Sequence, residues 1–379
     1  MRWHGWPRVR LSIPDRGERE RNAPDGQDIP TSSSREVEAI APLVISASRS
    51  TDIPAFYGDW FMERLRRGYA KWINPWNGAP LYVSFQNVRI FVFWSKNPEP
   101  FLPHLAELAR LGYPYLVLFT LNDYEPEGME PNLPPLEDRI RTFKAVSRMA
   151  GRNRVGWRWD PLLLSDSLHL QGLLDRIRQV GDAIAPFTER MIFSFIDIAR
   201  YPGVARNLRN RGFGDVREFS PAGELELGAG IQELNRSWGL AISACGEERD
   251  FSDFGIGPGQ CISRGHLLKQ FGDDPVLRQF LDPSGRPVPP ETGNRFHPAK
   301  FLKDPGQRRS CGCVVSKDIG QYATCPHLCA YCYANSNEGN VRRRYDTHMA
   351  RARQGIFGES IIEEEEGPET PRQREAGSG

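Results

Sequence analysis

The sequence predicts an α/β fold on a parallel sheet, either open or curled into a partial (β/α) barrel. Six short runs rich in β-branched and aromatic residues recur along the chain, and stretches of helical periodicity separate them. Parallel neighbours need crossovers of about a dozen residues or more, and these separating stretches supply them.

The first run is LVISAS (43–48), after which Asp52-Ile53-Pro54 starts a helix carrying Tyr57, Phe61 and Leu65 on one face. RIFVFWS (89–95) precedes a helix with Phe101, Leu105, Leu108 and Leu111, closed by Gly112, and leads to YLVLFTL (115–121). The next helix places Leu136, Ile140, Phe143, Val146 and Met149 on one stripe, ends at Gly151, and feeds VGWRWD (155–160). RMIFSFID (190–197) and GLAISAC (239–245) complete the set, preceded by helices around 168–180 and 227–238. In parallel folds, function gathers at the C-terminal strand ends. Here those ends carry Ser48, Arg49, Thr51 and Asp52; Lys96; Asn122 and Asp123; Arg158 and Asp160; Asp197; and Glu247.

Composition bounds the rest. Lys+Arg 49 against Asp+Glu 48 leaves a net charge of +1, so no global field draws in nucleic acid or an anionic membrane. No apolar run reaches the length of about 18 residues that a membrane span requires, and the first residues lack a signal-peptide core. The expectation is a soluble cytoplasmic protein without a membrane partner. Residues 1–40 read as a disordered leader, 41–300 as the parallel α/β unit, 301–350 as a cysteine-rich segment completing it, and 351–379 as a disordered acidic tail.

The chain has seven cysteines, five of them between Cys311 and Cys332, which in a reducing compartment points to metal binding or catalysis rather than disulfides. Cys325, Cys329 and Cys332 have C-x3-C-x2-C spacing. Three thiolates on one loop can hold a four-iron cluster and leave one iron without a protein ligand, and an open position is what a catalytic metal needs. The alternative is a zinc ion with His327 as fourth ligand, in a zinc-stabilised binding module. Cys245, Cys261, Cys311 and Cys313 remain, the right number for a second, closed iron–sulfur or zinc centre. Burial as small apolar residues is the plain alternative.

The spacing with Tyr331 before its last cysteine resembles the signature loop of radical S-adenosylmethionine enzymes, and TCPHLCAYCYAN is similar to the loop of spore photoproduct lyase and its relatives. FTLNDYEPEGMEPNLPPLEDRIRTFKAVSRMAG (119–151) also resembles their third core strand and following helix. The pattern from VISASRSTDIPAFYGDWF to the cysteine loop resembles an uncharacterised bacterial group, domain of unknown function 1848. In the superfamily the cluster loop follows the first strand, whereas here it follows all six. The resemblance therefore implies a circularly permuted barrel in which CVVSKDI (313–319) inserts beside LVISAS.

It further implies a [4Fe-4S] cluster on Cys325, Cys329 and Cys332, S-adenosylmethionine as cosubstrate, a low-potential electron donor, and a 5′-deoxyadenosyl radical as the reactive species. Tyr331 corresponds to the residue whose backbone meets the adenine, with packing as its alternative role. Ser48, Arg49, Thr51 and Asp52 stand where the superfamily's glycine-rich motif receives the methionine ammonium, although Asp52 also fits a helix N-cap. Arg158, and less so Lys96, are candidates for the methionine carboxylate, with an Arg158–Asp160 ion pair as the alternative. A nucleic-acid lesion, a peptide or a small metabolite fits as substrate. Trp72, Trp76, Trp94, Trp157 and Trp159 are the stacking candidates.

Overall fold

The computed structural model describes residues 6–14, 34–283, 302–304, 307–335 and 337–362. All six anticipated runs are strands: β3 (Val44–Ala47), β6 (Ile90–Ser95), β7 (Tyr115–Thr120), β8 (Val155–Leu162), β9 (Arg190–Phe195) and β10 (Ala241–Ala244). Two-residue strands flank them, β11 (Gly257–Pro258) and β12 (Lys317–Asp318), in an eight-stranded sheet ordered β11-β10-β9-β8-β7-β6-β3-β12. Every ladder in it is parallel. Helices α1 (Ile53–Phe56), α2 (Gly58–Arg67), α3 (Leu102–Arg110), α4 (Leu136–Ala150), α5 (Leu170–Ile184), α6 (Pro202–Asn210) and α7 (Pro221–Trp238) lie between the strands; α8 (Arg264–Phe271), α9 (Pro275–Leu281) and α10 (Glu338–Ala352) follow.

β6, β7 and β9 are buried along their whole length, which is why they read as continuous apolar runs. Alternate residues serve different faces. Phe91, Phe93, Val117, Phe119, Trp157 and Phe193 join the helix-covered core, whereas Ile90, Val92, Trp94, Leu116, Leu118 and Ile192 face the opposite side, with Leu267, Phe271, Leu277 and Leu281 of α8 and α9. Cys261, Cys311 and Cys313 belong to this second cluster.

The anticipated parallel α/β sheet is present and is not closed: β11 and β12 are its edges, and no ladder joins them among the described residues. The anticipated insertion of 313–319 beside 43–48 appears as β12, pairing Lys317 with Ile45 and Asp318 with Ser46. Within the stretch 1–40, expected to be a leader outside the fold, residues 8–14 and 34–40 are strands of the fold, and 1–5 and 15–33 lie outside the described residues. β1 (Arg8–Pro14) and β2 (Ser34–Ile40) pair antiparallel, and with β4 (Tyr69–Ile73) and β5 (Pro80–Ser84) they make a four-stranded sheet ordered β1-β2-β5-β4. Nor is the expected tail free at its start: Lys71 N donates to Glu359 O at 2.8 Å, Trp60 Nε1 to Gly358 O at 2.9 Å, and Ile361 is buried. The acidic run 363–366 lies outside the described residues.

The stripe of α4 is rotated from its expected setting. Phe143 and Val146 are buried, but Met149 is 43% exposed and Arg139 takes a fully buried place. Arg139 satisfies its guanidinium on Pro134 O, Asn122 O and Glu125, so a polar side chain occupies a core position because the loop after β7 offers acceptors there. No described helix is long and apolar enough to cross a membrane.

Candidate metal centres

The loop bearing Cys325, Cys329 and Cys332 follows β12 and is held over the C-terminal ends of the strands. Asp318 anchors the approach: its carboxylate accepts from Ser48 Oγ at 2.8 Å, Arg49 N at 2.7 Å and Gly320 N at 2.8 Å. A Cβ on Gly320 would stand 1.9 Å from Ser48 Oγ, so this close approach requires glycine. Asn132 Nδ2 donates to Pro326 O, Ala330 N donates to Met129 O, and Tyr57 OH donates to Thr324 O. From α6, Asn207 Nδ2 donates to Cys332 O and Asn335 O, while Arg211 donates to Leu328 O. Sequence reading did not single out Asn207, Arg211 or Thr324; all three act through contacts with backbone atoms, which leave no spacing signature.

Asp52 links three elements. It accepts from Ala55 N as the N-cap of α1, from Lys96 N at 2.7 Å, and pairs with His327 Nε2 at 2.9 Å. Burial raises its carboxyl, but the His327 hydrogen bond and charge and the Lys96 amide bring it below the usual carboxylate range. His327 thus meets Asp52 through Nε2, and its Nδ1 faces Asn132 O at 3.4 Å.

Lys96 lies beside the loop cysteines. Its ammonium donates to Glu130 Oε1 at 2.7 Å and Tyr331 OH at 2.9 Å, and its charge acts on Cys329 and Cys332. Tyr331 donates to Glu130 and accepts from Asn122 Nδ2 at 3.1 Å, so its ring and hydroxyl are packed within the site. Burial pushes all three loop thiols up, Cys329 to about 12, so a metal entering here must displace protons.

The other candidates are placed differently. Ser48 and Arg49 serve Asp318, and the Arg49 side chain also pairs with Asp304 at 2.9 Å. Thr51 keeps a buried hydroxyl without a partner. Arg158 adopts the ion-pair alternative: its guanidinium donates to Asp160 Oδ2 at 2.7 Å and Thr120 Oγ1 at 3.1 Å, and its charge acts on Cys261 and Cys245. The tryptophan pocket does not form. Trp157 and Trp159 are fully buried, Trp94 lies under the Arg49 and Arg158 guanidiniums, Trp72 lies under Lys317, and Trp76 alone of the five is largely exposed.

Three of the four cysteines in the second set converge, and Cys311 lies outside that group. The Sγ atoms of Cys245, Cys261 and Cys313 lie within 4.8 Å of one another, and the Cys261–Cys245 pair is at 3.2 Å. These three cysteines could bind a metal. The neighbouring Cys245 and Cys313 thiols hold Cys311 low, while Cys261, Cys311 and Cys313 push Cys245 up. Among the described residues no other group gathers three ligand atoms so closely, and the loop cysteines do not. One tetrahedral ion with bonds of about 2.3 Å holds its sulfurs about 3.8 Å apart.

No curated protein and no solved structure matches the chain. A family model described as Domain of unknown function (DUF1848) matches residues 44–334, a stretch that runs from β3 to the end of the cysteine loop and encloses both cysteine sets. The chain belongs to this family.

Proposed function

We propose that the chain is a radical S-adenosylmethionine enzyme whose catalytic [4Fe-4S] cluster is held by Cys325, Cys329 and Cys332. The supporting observation is topological: β12 pairs in parallel with β3 and delivers a C-terminal loop to the strand ends where parallel α/β folds gather function. A four-iron cluster with one open iron, together with S-adenosylmethionine, supplies one-electron reductive cleavage of a sulfonium to a 5′-deoxyadenosyl radical.

The residues around the loop fit that cargo. Thr51 Oγ1, Glu130 Oε2 and Asn335 Oδ1 are buried without hydrogen-bond partners, and a ligand rich in N–H and O–H donors would satisfy them. Thr51 and Glu130 are suited to an ammonium, and Lys96 to a carboxylate. The Asp52–His327 pair fixes the loop backbone, and Tyr331 walls the site on its buried side. An aromatic row, Trp76–Tyr322–Tyr333–Tyr201, has centroid spacings of 6.1, 6.2 and 6.0 Å and passes the cysteine loop at Tyr333, next to Cys332 in sequence. With Trp76 80% and Tyr333 49% exposed, the row suits a planar substrate such as a nucleobase. A low-potential reductant is the required partner.

Anaerobic reconstitution tests the reading. The protein should take up iron and sulfide in equal amounts and release 5′-deoxyadenosine from S-adenosylmethionine when reduced. Changing Cys325, Cys329 and Cys332 together to Ala should abolish both. Deoxyadenosine formation by that triple variant would sink the assignment.

A further inference from the structure

We propose that Cys245, Cys261, Cys311 and Cys313 form a closed site for a single tetrahedral zinc ion that fastens the two open edges of the parallel sheet to each other. Three of the sulfurs already stand within 4.8 Å, near the spacing of about 3.8 Å that one tetrahedral ion imposes. These three come from three separate segments, Cys311 stands two residues from Cys313, and a tetrahedral all-thiolate shell selects zinc among closed, redox-silent ions.

The positions of the ligands say what the ion does. Cys245 follows β10, Cys261 follows edge strand β11, and Cys311-Gly312-Cys313 precedes the opposite edge strand β12. Among the described residues no ladder links those edges, and scattered backbone bonds cross between their flanking segments: Val314 N to Ile262 O at 2.9 Å and Gly312 N to Gly259 O at 3.4 Å. A four-thiolate ion would supply the missing closure. Glycine makes the approach feasible, since a Cβ at Gly259 would fall 2.1 Å from Cys245 Cα and one at Gly312 would fall 2.8 Å from Gln260 Cγ.

Charge agrees. Four thiolates around one zinc carry two net negative charges, and two guanidiniums flank the site. Arg49 acts on Cys313 and Cys311, and Arg158 on Cys261 and Cys245. Both cations lie over the Trp94 ring, at 5.2 and 4.7 Å. Arg158 Nε is buried without a partner, so it is a donor available to a thiolate sulfur.

The test uses full-length protein carrying Cys325→Ala, Cys329→Ala and Cys332→Ala, so that its outcome does not depend on the radical reading. This protein should retain one zinc per chain, and zinc-edge X-ray absorption should show four sulfurs at about 2.3 Å. Cys261→Ser and Cys313→Ser on that background should lose the zinc, and Arg158→Gln should weaken it by about 10- to 100-fold in chelator competition. If the serine variants do not fold, cobalt(II) added to the chelator-stripped loop variant provides the readout, with thiolate-to-cobalt charge-transfer absorption expected. Nitrogen or oxygen in the metal shell, iron with acid-labile sulfide in the loop variant, or failure to take up both zinc and cobalt would overturn the proposal.

Discussion

Lys96, Glu130, Tyr331 and Asn122 meet from three separate segments, and their cost and benefit are decided by burial. The Glu130 side chain is fully buried and that of Lys96 is 16% exposed, so each charge depends on the other. Burial raises the Glu130 carboxyl, but Lys96 and Arg139 bring it below its usual value; burial lowers Lys96, but Glu130 brings it above. Removing one member leaves the rest charged and unsatisfied. Glu130→Ala should therefore lose about 3–5 kcal/mol of stability in urea denaturation. Tyr331→Phe removes one hydroxyl and should cost about 1–3 kcal/mol. A Glu130→Ala loss below that of Tyr331→Phe would contradict the network as described. Glu130 and Asn122 were within reach of sequence reading, because they lie in or beside the segment resembling a radical-enzyme core. Their convergence on Tyr331 was not, because it depends on a loop nearly 200 residues later reaching the same strand ends.

Among the elements, those whose residues bury on both faces were legible and those that act as edges were not. β6 and β7 announce themselves as unbroken apolar runs. β11 and β12 have two residues each, too few for any periodicity, and the identity of β12 came from its place before the cysteine loop. β1 and β2 did carry a signal: Val9, Leu11 and Ile13 alternate with outward Arg8, Arg10 and Ser12, but the charged face made the stretch read as a polar leader. Docking of β12 rests on Gly320 as much as on its short ladder. Gly320→Ala would force a Cβ into Ser48 and loosen the Asp318 clasp, so a loss of about 1–3 kcal/mol should follow, with faster amide exchange concentrated in 313–335. Exchange unchanged in that segment would show that the close approach is not what seats the loop.

For the whole molecule, buried titratable groups set the response to acid. Burial, then the Arg190 charge, pushes His266 down to about 2, and burial pushes His348 down to about 4 and lowers His104. His266 is 7% exposed and stays neutral in the folded chain, whereas the unfolded chain takes up its proton near pH 6.5. The sign follows directly. Above about pH 6.5 neither state binds that proton and the stability is intact; as pH falls below it the unfolded state gains a proton that the folded state refuses. The loss continues toward the folded value of about 2. Asp52, Glu130 and Asp160, all held below their usual range, add losses in the same direction, but only near and below pH 4, where unfolded carboxylates begin to protonate. Between pH 6 and 5 each buried histidine lowers stability by up to about 1.4 kcal/mol per pH unit, while Glu247, its carboxyl pushed up to about 7 by burial, takes up its proton first in the folded chain and offsets about one histidine's share. Urea denaturation across that interval should show stability falling with acid. His266→Asn should flatten the fall by close to one proton's share, whatever it does to stability at pH 8. A variant whose stability falls as steeply as the parent's would show that His266 is not the buried neutral group, and the slope would have to be reassigned to His348 and His104.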